Sequence, residues 1–224
     1  MATAAGGREV EFKFRVDGPA AFEALAGQAG ARPGAAVTQT NHFFDTTDRA
    51  LGRGRHTLRL REESGRFRLT AKGPGRRAGA LSSRAEEEVE IPRAAAEAIL
   101  HDQRSALDAL EAHAEPRARE LLATMRALLA GAPLRHVGAF QNERARLPVR
   151  LEVDGRALSV TLELDRTTFP GPQVQYEVEV EIVDADHGAV ERALHALLRS
   201  AGVAWRESPS KAARFFDALA GRPI

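Results

Sequence analysis

The sequence predicts an α+β fold of consecutive antiparallel strands decorated by helices. Three observations predict it. Much of the chain alternates apolar and charged residues with a period of two, most of these segments follow one another closely enough for hairpins, and stretches rich in Ala and Leu at helical spacing interrupt them. The 224 residues, 43% hydrophobic and 28% charged, suit one compact domain spanning 1–224, with a helical insert at about 92–130, and not disorder or a coiled coil.

Arg8 to Val16 is the first strand, since Val10, Phe12 and Phe14 alternate with Glu9, Glu11 and Lys13. Pro19 to Gln28 is a short helix: Pro stands near its start, Phe22 and Leu25 share a face, and Gly27 or Gly30 closes it. After a loop through Pro33 and Gly34, strand period returns over Val37 to Asp45, Thr57 to Arg61 and Arg66 to Lys72, punctuated by Gly52, Gly54 and Gly65. Gly73 to Ala80, with Pro74, Arg76 and Arg77, reads as a mobile basic loop, and Arg84 to Ile91 as another strand. Pro92 to Ala130 reads as two helices parted near Glu115 and Pro116. Beyond Gly131 and Pro133, four strands are expected: Val137 to Leu147, Val149 to Val153, Ala157 to Asp165 and Val174 to Val183. Asp186 to Ala201 is a helix, and Pro209 to Leu219 is the last, with Ser208 or Ser210 as its cap.

Lys plus Arg number 32 and Asp plus Glu 31, so no global charge draws the chain to nucleic acid or anionic lipid. Cysteine is absent, which excludes disulfides, a thiolate nucleophile and Cys-bearing zinc sites and suits a reducing compartment. No apolar run approaches the roughly 20 residues that span a bilayer, and Met1 to Arg15 lacks the layout of a secretory signal. The expectation is a cytoplasmic protein with no membrane and no nucleic-acid partner.

Charge is instead segregated strand by strand. Like charges recur at same-face positions: Glu9 with Glu11; Arg59 with Arg61; Glu86, Glu88 and Glu90; Glu163 with Asp165; and Glu177, Glu179 and Glu181. Such neighbours lie about 7 Å apart, and in a partly buried setting each pair repels by roughly 2 kcal/mol. Either these faces are wet, as on an ordinary amphipathic sheet, or a ligand neutralises them inside a barrel whose apolar outer face is covered by helices. An enclosed face carrying both signs suits a hard divalent cation on the acids and a phosphate chain on the bases.

The ordered series Glu9-Val10-Glu11-Phe12-Lys13, Phe43-Phe44-Asp45-Thr46, Leu58-Arg59-Leu60-Arg61, Leu69-Thr70-Ala71-Lys72, Arg84-Ala85-Glu86-Glu87-Glu88, Asn142-Glu143-Arg144, Glu163-Leu164-Asp165, the run to Glu181, and Ser210-Lys211 resembles the CYTH family, the triphosphate tunnel metalloenzymes. The resemblance covers about residues 8 to 220. It implies an antiparallel eight-stranded β-barrel whose inward charges bind a triphosphate and Mg²⁺ or Mn²⁺. By position it implies metal ligation by Glu9, Glu11, Asp165, Glu179 and Glu181, and substrate binding by Lys13, Arg59, Arg61, Lys72, Arg84, Arg144 and Lys211. Lys72, Glu9 and Glu11 are the catalytic candidates. Where the run from Glu177 holds three acids, the last two are taken as ligands and Glu177 as their support; Glu86 and Glu88 match an R-x-E-x-E segment.

For each cation the alternative is a salt bridge to a neighbouring strand. Arg76 and Arg77 read as solvated, and the seven histidines as solvated or packing residues, because none stands in a metal-binding motif such as H-E-x-x-H. The implied reaction is hydrolysis of inorganic triphosphate, which the resemblance to the bacterial inorganic-triphosphatase branch favours. Thiamine triphosphate hydrolysis, class IV adenylyl cyclisation and non-catalytic binding of polyphosphate or nucleotide are the alternatives. The single Trp205 and single Tyr176 offer few platforms for a base or thiazolium. An RNA-binding barrel using Arg49 to Arg77 would have only Phe67 for stacking.

Overall fold

The computed structural model describes residues 8–171, 173–182, 185–207 and 209–224. Its elements in chain order are β1 (Arg8–Val16), α1 (Pro19–Ala29), β2 (Val37–Asp45), α2 (Ala50–Arg53), β3 (Thr57–Glu63), β4 (Arg66–Lys72), β5 (Arg76–Ala78), β6 (Leu81–Ile91), α3 (Arg93–Leu100), α4 (Ala106–Glu111), a 3-10 turn (Pro116–Ala118), α5 (Arg119–Leu129), β7 (Arg135–Val153), β8 (Arg156–Thr168), β9 (Val174–Glu181), α6 (His187–Ser200), β10 (Trp205–Arg206) and α7 (Lys211–Leu219). The described strands form one sheet in the order β10-β1-β9-β8-β7-β2-β3-β4-β6-β5, and β1 also pairs with β6. The fold class is therefore the antiparallel eight-stranded β-barrel with helices that the sequence predicts, with β5 and β10 as short additions.

The chain groups into two compact units. The first contains Glu9, Gln39–Arg76 and Ser83–Gln141. Its core packs Leu58, Leu60, Leu69, Ala71 and Ile91 of the strands against Ile99, Leu107, Leu110 and Met125 of the helical insert. The second contains Val10–Thr38, Arg77–Ser82 and Asn142–Ile224. There Phe12, Phe14, Leu162, Leu164, Val178 and Val180 meet Leu25 of α1 and Val190, Leu194 and Leu198 of α6. Each such side chain taken fully out of water contributes roughly 1.5–3 kcal/mol.

Alternation then dictates that the charged residues share the opposite face of each strand. That face is buried too: Glu11 is 5% exposed, Asp165 0%, Glu177 1% and Glu179 5%. An ordinary wet sheet face is thereby excluded for this part of the second unit.

Four expectations need correction. Val137 to Leu147 and Val149 to Val153 are one 19-residue strand, β7. Pro148 lies inside it without ending it, and a proline is tolerated in a strand where no neighbour needs its missing N–H. The insert holds three α-helices and a 3-10 turn, since Ser105 caps α4 by accepting from Asp108 N after Asp102 turns the chain at φ 57°. Within the expected loop Gly73 to Ala80, residues Arg76–Ala78 form β5, exposed along its length. Short α2 goes unsignalled by periodicity because the Asp45 carboxylate builds it, accepting from Thr46 N, Leu51 N and Gly52 N at 2.8, 2.9 and 3.0 Å. At the last helix Ser210 is the cap, accepting from Ala213 N. Expectations that fell on the first seven residues, Val183 and Ser208 lie outside the described residues.

Candidate active site

In the first unit, antiparallel register brings three strands' charged rows side by side. Arg59 lies opposite Thr70, Thr70 opposite Glu88, and Lys72 opposite Glu86. Lys72 Nζ donates to both oxygens of Glu9, at 2.8 and 2.9 Å, and stands 3.0 Å from Glu86. Arg84 Nε reaches Glu9 Oε2 at 2.8 Å. Arg59 donates to Thr70 Oγ1 at 3.2 Å, and Thr70 in turn to Glu88 at 3.0 Å. Arg61 Nε donates to Asn41 Oδ1 at 3.3 Å, and Arg68 stands 3.9 Å from Glu88. Burial alone would raise the Glu88 carboxyl, but Arg59 and Arg61 outweigh it and hold the group below its usual range. Five cations (Arg59, Arg61, Arg68, Lys72 and Arg84) thus stand beside four carboxylates (Glu9, Glu86, Glu88 and, 4.0 Å from Arg68, Glu90). Among the described residues Arg59 Nε, buried, has no hydrogen-bond acceptor.

The second unit is richer in acid. Glu179 accepts from Lys13, Arg144 and Lys211 at 2.7, 2.7 and 2.6 Å. Asp165 accepts from Asn142 and from Arg144 Nε at 2.8 and 2.7 Å, and Lys211 lies 2.8 Å away. Arg144 also pairs with Glu163, and Lys13 stands 3.0 Å from Glu11. Glu177 joins Lys211 at 2.8 Å and Arg214 at 2.5 Å. Five carboxylates therefore meet buried Lys13, Arg144 and Arg214, half-buried Lys211, and Arg146 at 3.5 Å from Glu163.

Desolvation pushes Asp165 and Glu179 upward, yet the neighbouring cations prevail and both carboxyls titrate well below their usual range. The sign follows from linkage. A carboxylate depressed in the folded state contributes its full stability above the unfolded value of about 4, and that contribution is lost as pH falls through the folded value. Melting temperature is thus expected to hold from pH 7 to about 4.5 and to fall steeply below about 4. Asp165→Asn should flatten that acid limb in thermal melts, and an unchanged limb would contradict the assignment.

Every site candidate from the sequence is placed. Glu9, Arg59, Arg61, Lys72 and Arg84 come together in the first unit. Glu11, Lys13, Arg144, Asp165, Glu179 and Lys211 do so in the second. Glu181 is exposed at the end of β9, in register with Glu11, whereas Glu177 is buried among cations. Arg76 and Arg77 are exposed, and Arg77 donates to Gly79 O at 2.9 Å. Sequence reasoning named Glu163 and Asn142 without giving them a site role, and assigned none to Arg68 or Arg214. Period two could have found Arg68, which shares a face with Thr70. A second unused signal was scarcity: the chain has only three lysines, Lys13, Lys72 and Lys211, and all three lie in the clusters. Histidine numbers 42 and 136 also meet, 3.2 Å apart across two strands, beside Phe44.

Among the described residues no three acidic or histidine side chains converge as a ready metal centre. The donor chemistry nevertheless fits one. Lys211 Nζ sits 2.6–2.8 Å from carboxylates of Asp165, Glu177 and Glu179, so this oxygen set already accommodates a cation, and oxygen ligands are what Mg²⁺ and Mn²⁺ take.

The CYTH domain family model matches residues 7–216. A solved adenylyl cyclase candidate from Hippeastrum, reported to have a dominant triphosphatase activity, is 25% identical, with 96% of this chain and 97% of that one covered at a TM-score of 0.76. An adenylate cyclase candidate from Bacillus halodurans shares the fold at 22% identity, covering 94% and 99% of the two chains with a TM-score of 0.61. Another from Vibrio parahaemolyticus does so at 19% identity, covering 93% and 97% with a TM-score of 0.52. No curated protein sequence matches the chain. No helix among the described residues is long and apolar enough to cross a membrane.

Proposed function

The chain belongs to the CYTH domain family, and from that premise we propose that it is a divalent-metal-dependent triphosphatase that hydrolyses inorganic triphosphate. The family match and the Hippeastrum relative support the coarser reading, an enzyme acting on triphosphates. The observation that carries the proposal is the row of cations in the first unit, Arg59, Arg61, Arg68, Lys72 and Arg84, in which the buried Arg59 Nε lacks an acceptor. A polyanion supplies both counter-charge and the acceptor.

In this reading Arg59 and Arg61 present planar forks to phosphate oxygens, and Lys72 and Arg84 add charge beside Glu9. Lys13, Arg144 and Lys211 are the further cations assigned to phosphate. Glu9, Glu11, Asp165, Glu179 and Glu181 are the acids that would hold Mg²⁺ or Mn²⁺. A bound ion there would neutralise charge developing on the phosphates and make a coordinated water more acidic. Phosphoryl transfer asks little covalent chemistry of a protein, so a cage of fixed cations and orienting carboxylates accounts for most of the catalysis. No serine or cysteine nucleophile is needed.

The aromatic rings favour the inorganic substrate. Trp205 stacks on His195 at 4.4 Å, Tyr176 meets Phe22 edge-on at 5.8 Å, and the Phe43–Phe140 pair beside the basic row is 3–4% exposed. These rings are engaged in packing contacts with one another and with His195, which favours a substrate that needs no ring to stack on.

The test is a comparison of tripolyphosphate, thiamine triphosphate and ATP at fixed Mg²⁺ with products identified. Tripolyphosphate should give the highest kcat/KM and yield pyrophosphate and phosphate. Cyclic AMP from ATP, a preference for thiamine triphosphate, or tight binding with no turnover would each overturn the proposal in favour of the corresponding alternative.

A further inference from the structure

We propose that Arg214, which no phosphate or metal role requires, is a positioning residue that holds Lys211 in place. Arg214 is 1% exposed and is among the largest fully buried side chains of the chain. Its partners are all protein groups. Nε donates to Pro209 O at 3.1 Å, Nη1 donates to Gln175 Oε1, Nη2 lies 2.5 Å from Glu177 Oε1, and the guanidinium sits 5.2 Å from the centre of the Phe169 ring.

Two features make this a device for Lys211 and not only a core contact. Lys211 and Arg214 are three residues apart on α7, hence one turn apart on one face. They also divide one carboxylate: Glu177 Oε2 faces Lys211 at 2.8 Å while Oε1 faces Arg214. Arg214 supplies counter-charge to Glu177 from one side and pins the backbone just before the Ser210 cap from another. Lys211 is thereby aimed at Asp165 and Glu179 as well, instead of being drawn wholly to Glu177. The guanidinium fork is required, because its nitrogens, held apart in one rigid plane, reach a carbonyl, an amide oxygen and a carboxylate at separate positions, whereas an ammonium is a single point charge at the end of its stem.

The chain's lysine scarcity supplies a direct readout. With only Lys13, Lys72 and Lys211 present, amine acylation followed by peptide mass spectrometry reports each position by itself. Arg214→Gln should speed acylation of Lys211 about tenfold or more while Lys13 and Lys72 keep their wild-type rates. Should that variant fail to fold, Arg214→Lys carries the same expectation. Acceleration at all three lysines would mean general loosening, and no change at Lys211 would mean that Arg214 does not hold it; either overturns the proposal.

A second arm rests on the triphosphatase reading. Arg214→Gln should raise KM for tripolyphosphate about tenfold, and should add nothing once Lys211 is already Gln. Equal costs in both backgrounds would assign Arg214 a merely structural role. Because the labelling arm needs no turnover, a Lys211-specific labelling change in a protein that hydrolyses no triphosphate would refute the proposed function and leave the positioning role standing.

Discussion

Glu9→Gln is expected to lower tripolyphosphate turnover by about a thousandfold and to leave the melting temperature within a few degrees of wild type. Both Glu9 oxygens are occupied by Lys72 and one of them also by Arg84, so the carboxylate fixes two cations that the proposal assigns to substrate. Gln keeps the shape but removes the negative charge, and its amide nitrogen can only repel an ammonium. The fold should persist because Lys72 keeps Glu86 at 3.0 Å and the Glu9 side chain is 16% exposed. Steady-state rates with melts on the same sample check this. A rate within threefold of wild type would remove Glu9 from the catalytic set.

The largest stability effect is expected at Arg144. This side chain, in a residue 8% exposed, answers three carboxylates at once: Asp165, Glu163 and Glu179. Its net contribution relative to a well-packed apolar core is small, because burying the charges is itself costly. Removing one partner is another matter, since the acids then stay buried with less counter-charge. Arg144→Met should cost about 3–5 kcal/mol, read as a lower urea midpoint at unchanged m-value. Lys13 and Lys211 remain beside Glu179, and Lys211 beside Asp165, which places the expectation toward the lower end. A loss under about 1 kcal/mol would mean that those lysines alone balance the cluster.

What the sequence made legible follows the range of the interactions involved. Strand alternation is local, so β1, β2 and β4 are legible to the residue, and with them the shared face of Glu9, Glu11 and Lys13. In Pro92 to Ala130 the break at Glu115 and Pro116 was legible, but the earlier one depended on a single side-chain cap, Ser105, after Asp102 at positive φ. Pro148 misled because a proline's effect in a strand depends on whether a neighbour needs its missing N–H, and that is a property of the sheet. The acid run on β9 shows the same limit. Period two puts Glu177, Glu179 and Glu181 on one face, but only the paired register buries the first two and exposes the third. Arg214 stood in the sequence only as the end of the Ser-Lys-Ala-Ala-Arg segment, since 29 of the chain's 32 basic residues are arginines and only tertiary contact makes one of them a buried anchor. The three lysines were the reverse case, legible in composition alone.

The central claim is that the buried bases hold a triphosphate and the buried acids a divalent ion that its hydrolysis requires. The most direct measurement is phosphate release from tripolyphosphate by the wild-type protein, run in parallel with Mg²⁺, with Mn²⁺ and with excess chelator. The account predicts turnover with either metal, loss to background in chelator and recovery when metal is restored. Undiminished release in chelator, or none under any of these conditions, would contradict it.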